Sequence, residues 1–243
     1  MSREAPPYIG ATGFTTGSEV AQALAAVPNH STHRLMVGVL VGYTRLPPPN
    51  QLSQIFSPDK RALNLIHYCI GEDEQTPLNG VMEAREMGGQ HCHGTQINHP
   101  WPEVEMLKVY RTVYPEDLLV MQISRAAITE TGSMNKLLYK LTKYHKLFDY
   151  VLVDFSRGRG LPFDSDATVE RLGAINISHG QYFQLVVAGG LGPDTLEPIE
   201  RMAQLWPTLS IDAEGQLRNP QNQLDMTKVT AYLQRAFRIF DEE

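Results

Sequence analysis

A carboxylate stands directly after the sixth of a series of similar apolar runs. Asp154 follows Tyr150–Val153, whose composition is that of a buried strand. A carboxyl group that leaves a buried strand is well placed for general acid or base work. The alternative is a structural role, as a helix cap or as an ion-pair partner of Arg157 or Arg159. We favour the acid–base role for Asp154.

A glycine-rich segment, Ala188–Thr195, ends the seventh run and opens a helical segment. Glycines there let backbone N–H groups approach a phosphate, and the helix N-terminus adds a favourable dipole. The alternative is a tight turn in which Asp194 or Thr195 caps the helix. A second loop, Asp212–Gly215, could complete the clamp, although the carboxylate of Glu214 would repel a phosphate unless it is turned away. The predicted ligand-binding residues in the two loops are Gly189, Gly190, Gly192, Asp212, Glu214 and Gly215.

A metal site is a weaker interpretation of His91-Cys92-His93, with His99 beyond it. Alternation along a strand would place His91 and His93 on one face. No carboxylate or cysteine pair completes a tetrahedral set, and the segment precedes the fourth run, at the end opposite to the other candidates. We therefore predict no metal.

The candidates belong to a regular alternation of apolar runs and segments of helical period. Several runs are continuously apolar, as in parallel strands that are buried on both faces. The runs are Tyr8–Phe14, Leu35–Gly42, Leu63–Ile70, Gly94–His99, Leu118–Ser124, Tyr150–Phe155, Phe183–Ala188 and Leu209–Asp212. The helical segments are Ser18–Val27, a short one from Gln51, Leu78–Met87, Pro102–Tyr114, Met134–Phe148, Ala167–Ile175, Leu196–Trp206 and Met226–Phe240.

Eight strand–helix units in 243 residues predict a (β/α)8 TIM barrel, as a single domain over residues 1–243. A doubly wound open sheet is the main rival. Its G-x-G-x-x-G fingerprint is missing from Gly10–Thr15. In such barrels the chemistry lies at the C-terminal ends of the strands. That rule selects Thr12–Thr15, Tyr43–Arg45, Ile70–Asp73, Asn98–His99, Ser124–Arg125, Asp154–Gly160, Gly189–Gly192 and Asp212–Gly215.

Composition excludes several classes of partner. The chain has 21 basic and 27 acidic residues, a net charge of -6, and no cluster of Lys and Arg, so we expect no nucleic acid. No window is apolar enough to span a membrane, and the first residues do not resemble a signal peptide. With two cysteines in 243 residues, a cytoplasmic protein is expected. The oligomeric state is not predicted.

Four segments, taken in order along the chain, resemble motifs of the phosphoribosylanthranilate isomerase family. Thr12–Thr15 is similar to the family's Cys-Gly-Ile-Thr, and Gln96–His99 to its Gln-Leu-His-Gly. Asp154–Asp164 resembles an aspartate followed by Gly-x-Gly-x-x-Phe-Asp, and Ala188–Thr195 resembles the Ala-Gly-Gly-Leu-x-Pro phosphate loop. The last two matches are specific in combination, and the first two are weak alone.

The resemblance implies a cofactor-independent Amadori rearrangement, in which a phosphorylated aminoaldose becomes an aminoketose. It makes Asp154 the general acid on the ring oxygen and matches Arg45, more loosely, to an arginine that holds the anthranilate carboxylate. It also adds Gly158 and Gly160 to the substrate-binding residues.

The sequence departs from the family at the active face. Thr12 stands where the family has its cysteine base, and a hydroxyl cannot remove a carbon-bound proton without a strong base beside it. Asn98 stands where the family has histidine. The possible replacement bases are His67, His99 and Asp212, with His67 alternatively a hydrogen-bonded interior side chain.

We therefore expect an isomerase-like barrel acting on a phosphorylated sugar or aminosugar. The alternative is a non-catalytic barrel that binds a phosphorylated metabolite or a protein partner. The predicted catalytic residues are Asp154, Thr12 and His99, and the predicted binding residues outside the glycine-rich loops are Arg45, Asn98, Gly158 and Gly160.

Overall fold

Eight parallel strands pair in chain order and close into a barrel, because the first strand also pairs with the eighth. A computed structural model describes residues 5–42, 49–69, 78–99, 101–154 and 165–241. The strands are β1 (Tyr8–Thr12), β2 (Arg34–Gly42), β3 (Ala62–Cys69), β4 (Gly94–Asn98), β5 (Leu118–Ser124), β6 (Tyr150–Asp154), β7 (Gln184–Ala188) and β8 (Ser210–Ala213). The predicted TIM barrel is confirmed.

Helices follow the strands and cover the outside of the barrel. They are α1 (Gly17–Leu24), α2 (Leu52–Ile55), α3 (Leu78–Met87), α4 (Val104–Val113), α5 (Arg125–Thr131), α6 (Met134–Leu141), α7 (Ser165–His179), α8 (Glu197–Leu205) and α9 (Met226–Asp241). None of the helices in these described ranges is long and apolar enough to cross a membrane.

Local sequence explains where several helices begin. Thr16 and Glu19 form a capping box at the start of α1, in which each side chain accepts from the other residue's backbone N–H. In α9, Val229, Leu233 and Phe237 recur at helical spacing and are buried. These helices therefore pack an apolar face against the outside of the barrel, and the ends of the strands remain available to form a site.

The structure corrects the predicted helices between β5 and β6. The segment Met134–Phe148 is helical only as far as Leu141, after which a turn of 3₁₀ helix over Thr142–Tyr144 and a left-handed Lys146 lead into β6. Helix α5 was not expected, because its seven residues follow β5 without a break. The Ser124 side chain caps it by accepting from the N–H of Ala127.

The strands divide the barrel interior into two parts along its axis. Towards the N-terminal ends of the strands, apolar side chains pack together, among them Tyr8, Leu65, Val120, Tyr150 and Leu152. The inward side chains two residues further along β3, β5 and β6 are His67, Gln122 and Asp154. The polar end is the C-terminal end, where chemistry is expected in this fold.

Candidate active site

A cavity of about 510 Å³ opens at the C-terminal ends of the strands. That size suits a small-molecule ligand. Its walls come from six strands and from the loops after β7 and β8. The lining residues are His67, Gln96, Asn98, Gln122, Leu152, Asp154, Ala188, Gly189, Gly190, Asp212, Ala213, Glu214, Gly215, Gln216, Arg218, Asn219, Pro220 and Asn222.

Three buried polar side chains meet on one side of this cavity. The Thr12 hydroxyl donates to Oδ1 of Asp212 over 3.2 Å, and it lies 3.3 and 3.4 Å from the two ring nitrogens of His67. Thr12 is completely buried, and His67 and Asp212 are 3% and 6% exposed. Thr12 therefore links a carboxyl group and an imidazole that both face the ligand space.

Two glycines make room for this cluster. A Cβ on Gly38, the β2 neighbour of Thr12, would lie 2.3 Å from the Thr12 hydroxyl. A Cβ on Gly10 would lie 2.7 Å from Oδ1 of Asp212, to which Gly10 is paired across β1 and β8. Any side chain at either position would displace the polar group opposite it.

Burial shifts the pKa of two members of the cluster. Burial, with a smaller contribution from the negative charge of Glu214, raises the pKa of Asp212 from 3.8 to about 8. Burial lowers the pKa of His67 from 6.5 to about 3, so this imidazole is neutral at physiological pH. Asp212 therefore exchanges its proton near neutral pH, in the range that acid–base catalysis requires.

A second polar chain runs along the opposite wall. The Gln96 side-chain N–H donates to Oε1 of Gln122 over 3.3 Å, and the Gln122 side-chain N–H donates to Oδ2 of Asp154 over 3.5 Å. The three residues belong to the adjacent strands β4, β5 and β6. Asp154 is thus held by an amide chain, and Asp212 is held by a hydroxyl.

The glycine-rich loop after β7 reaches the cavity through its backbone. Gly189 and Gly190 have φ angles of 107° and 69°, which an L side chain rarely adopts. The Thr195 hydroxyl donates to the carbonyl of Gly190 over 2.8 Å and braces the loop. A Cβ on Gly192 would lie 2.6 Å from Cβ of Gln216, so the loops after β7 and β8 pack closely here.

Arg218 adds positive charge beside these loops. Its Nη2 donates to Oε1 of Glu214 over 3.1 Å, and its Nη1 donates to the carbonyl of Asn222. Its side chain is 8% exposed and lines the cavity. A Cβ on Gly13 would lie 2.3 Å from Arg218 Nη2. The Glu214 carboxylate, expected to repel a phosphate, is thus paired with a guanidinium.

Most of the predicted site residues with a described position lie at this cavity. The cavity-lining set contains Asp154, Asn98, Gly189, Gly190, Asp212, Glu214 and Gly215. Thr12 donates a hydrogen bond to Asp212, and a Cβ on Gly192 would collide with the lining residue Gln216. His99 directly follows Asn98 but does not belong to the lining set, whereas His67 does. Arg45, Gly158 and Gly160 lie outside the described residues.

Three residues that line the cavity were not predicted from the sequence as site residues: Gln96, Gln122 and Arg218. Gln122 falls within an otherwise apolar run, and its polarity at an inward position was the available signal. Arg218 lies three residues beyond Gly215, past the end of the predicted loop.

The histidines before β4 lie at the other end of the barrel. His93 directly precedes the first residue of β4, and its Nδ1 accepts from the backbone N–H of Asn64. Across the described part of the chain, no three His, Cys, Asp or Glu side chains are grouped so as to hold a metal ion.

Comparison with solved structures finds the same fold at low sequence identity. The phosphoribosyl anthranilate isomerase of Thermococcus kodakaraensis has a TM-score of 0.64 and 15% identity, over 95% of this chain and 98% of that one. The N-(5'-phosphoribosyl)anthranilate isomerase of Pyrococcus furiosus has a TM-score of 0.65, with the same identity and coverage. Tryptophan synthase subunit alpha of Legionella pneumophila has a TM-score of 0.61 and 12% identity, over 98% and 94%.

No protein-family model matches the chain, and no curated protein matches its sequence. The structural neighbours include enzymes of several kinds that share a TIM barrel, and at these identities they establish the fold alone.

Proposed function

We propose that this protein is an isomerase that converts a phosphorylated aldose or aminoaldose into the corresponding ketose by general acid–base catalysis. One observation carries the proposal: two carboxyl groups, Asp154 and Asp212, line the same cavity, and each is held by a separate polar network. Pairs of titratable groups in different surroundings are typical of acid–base sites.

Asp154 is the acid of this reaction. It protonates the ring oxygen of the sugar, the bond from C1 to that oxygen breaks, and an open-chain carbonyl or imine forms. Asp212 is the base that takes the proton from C2. The C2–H electron pair forms the C1–C2 double bond, and the π pair of the carbonyl or imine moves to its oxygen or nitrogen, which gives an enediol or enolamine. Asp212 then returns its proton to C1 while the Asp154 carboxylate takes the proton of the C2 hydroxyl, so the ketose forms and no cofactor is needed.

Thr12 and His67 position the base. The Thr12 hydroxyl donates to Asp212, which favours the ionised carboxylate against the effect of burial. The neutral imidazole of His67 lies against the Thr12 hydroxyl group. It therefore limits the directions in which the hydroxyl proton of Thr12 can point. With Asp212 as the base, Thr12 does not need the reactivity of the cysteine that it replaces.

The phosphate end of the substrate lies against the loops after β7 and β8. Gly189 and Gly190 allow the backbone to approach the phosphate closely, and Arg218 supplies a cation beside it. The likeness in fold to two phosphoribosylanthranilate isomerases supports this choice of substrate class.

The test measures turnover of two substrates. Freshly made phosphoribosylanthranilate is followed by loss of its fluorescence. D-ribose 5-phosphate in D₂O is followed by NMR, which detects exchange of the C2 hydrogen with solvent. We expect C2 exchange and ketose formation, and we expect Asp212→Asn to abolish both. Asp166→Asn, an exposed carboxylate on α7, is the matched control.

The absence of exchange with either substrate would overturn the isomerase proposal. If phosphate esters still bound, the non-catalytic barrel would be the better description. Retained exchange in Asp212→Asn would instead move the role of base to His67.

A further inference from the structure

The direction of the amide chain Gln96–Gln122–Asp154 is fixed at one end. The Gln122 side chain donates its N–H group to Oδ2 of Asp154, so its oxygen points away from that carboxyl group. That oxygen accepts from the N–H group of Gln96. The Gln96 oxygen, Oε1, is therefore the end of the chain that remains for another partner.

Oε1 of Gln96 is a buried acceptor at the cavity wall. Gln96 is 3% exposed and belongs to the lining residues. Among the described residues, nothing donates a hydrogen bond to this oxygen. A buried acceptor without a donor is costly, and native proteins keep such groups where a ligand or water completes them.

The surrounding wall is rich in amides. Six lining side chains are carboxamides, namely Gln96, Asn98, Gln122, Gln216, Asn219 and Asn222. The described lining residues include no phenyl, phenol or indole ring on which an aromatic amine could stack. Amides donate and accept at once, as a chain of hydroxyl groups does.

We propose that Gln96 Oε1 accepts a hydrogen bond from a hydroxyl group of the substrate, and that the cavity takes a polyhydroxylated sugar phosphate whose non-phosphate end is polar. This proposal rests on the proposed function, which places a phosphate group at one end of the ligand, and it adds that the other end carries hydroxyl groups. Gln122 and Asp154 fix the Gln96 amide, so the acceptor is in place before the ligand arrives. Sites built around a hydroxyl group reject analogues that lack it.

The experiment measures binding of two phosphate esters by calorimetry. Ribitol 5-phosphate has a chain of hydroxyl groups but no carbonyl group, so it cannot be isomerised. Pentyl phosphate has the same length of carbon chain and no free hydroxyl group. We expect the wild-type protein to bind ribitol 5-phosphate at least about 10-fold more tightly, since only this ester can donate a hydrogen bond to the buried acceptor.

Gln96→Met is the decisive variant, because it keeps the length of the side chain and removes the acceptor. We expect it to weaken binding of ribitol 5-phosphate about 10-fold and to leave the affinity for pentyl phosphate within about 2-fold. Gln204→Met, at an exposed position on α8, is the matched control. If Gln96→Met does not fold, Gln96→Asn withdraws the acceptor by one methylene and makes the same test.

Three results would overturn the inference: no binding of ribitol 5-phosphate, equal binding of the two esters, or a preference that Gln96→Met and Gln96→Asn leave unchanged. These outcomes do not depend on turnover. The isomerase proposal can fail by showing no C2 exchange while the dependence on Gln96 holds, and the reverse is equally observable.

Discussion

The two halves of the barrel interior stand on the same strands and have opposite chemistry. On β3, Leu65 packs in the apolar half, and two residues later His67 lines the cavity. On β5 the same step leads from Val120 to Gln122. A step of two residues returns to the same face of a strand. One strand can therefore place an apolar side chain in the packed half and a polar side chain in the cavity wall.

This difference separates stability from function along the barrel axis. The apolar half gains free energy by burying large side chains, as in the edge-on contact of Tyr8 and Tyr150, whose ring centroids are 5.2 Å apart. The polar half buries Thr12, Gln96 and Asp212, which costs free energy unless each is hydrogen-bonded. Changes in the first half should affect unfolding, and changes in the second half should affect ligand binding and turnover.

A large loss of turnover is expected for Asp154→Asn, which tests the polar half. The amide cannot protonate a ring oxygen, so turnover should fall about a thousand-fold while thermal unfolding changes little. Turnover is measured by C2 exchange and unfolding by circular dichroism, with Asp166→Asn as the exposed control. Unchanged turnover would remove Asp154 from the role of acid.

Leu65→Ala is the corresponding test of the apolar half. Leu65 is completely buried beneath His67, and its truncation should lower the free energy of unfolding by about 3 kcal/mol. Binding of ribitol 5-phosphate should stay within about 2-fold of wild type, because the cavity wall is unchanged. Urea titration measures the first quantity and calorimetry the second.

The control for Leu65→Ala is Leu205→Ala, at an exposed position on α8. A fall in affinity as large as the fall in stability would show that the two halves of the barrel are coupled.

The strands were predictable because their apolar runs are local features of the sequence. Asp154 was predictable for the same reason, since it ends such a run. The glycine-rich loop after β7 was identified by its glycines, and two of them do adopt positive φ angles. A short helix such as α5 carries too little periodicity to be recognised from its own residues.

The polar networks were not predictable, because each joins residues far apart in the chain. Thr12 and Asp212 are 200 residues apart and meet only because β1 pairs with β8. Gln96 and Asp154 become linked only when the register of β4, β5 and β6 aligns their side chains. Sequence patterns identify the strand ends, but the closed barrel decides which side chains face each other.

An effect on stability that depends on pH is expected for Asp212→Asn. The pKa of Asp212 is about 8 in the folded protein, whereas the ordinary pKa of an aspartate side chain is 3.8. The folded state therefore holds this proton more tightly, and its contribution to stability is lost as pH rises from about 4 to 8. Removing the titration should stabilise the variant relative to wild type at pH 8 more than at pH 4, by up to about 1.4 kcal/mol per pH unit.

Urea titrations of both proteins from pH 4 to pH 8 measure this difference, with Asp166→Asn again as control. The proposed role of Asp212 as base predicts that wild-type turnover rises with pH towards about 8, as its carboxyl group loses the proton. Parallel stability profiles for wild type and Asp212→Asn would contradict the burial of an ionisable group here.

The smallest effect is expected for Arg218→Gln, which tests whether the polar half extends to the loops after β7 and β8, the proposed phosphate site. Arg218 lines the cavity beside the glycine-rich loop and is paired with Glu214. Its replacement removes the cation and leaves the Glu214 carboxylate facing the ligand, so affinity for inorganic phosphate should fall about 10-fold.

Arg201→Gln, an exposed arginine on α8, should leave that affinity unchanged. Raising the salt concentration should narrow the difference between wild type and Arg218→Gln only slightly, because an interaction of a largely buried guanidinium is weakly screened. If Arg218→Gln binds phosphate as wild type does, the phosphate is held by the loop backbone alone. The charge of Arg218 then serves only to neutralise Glu214, and the polar half ends at Asp212.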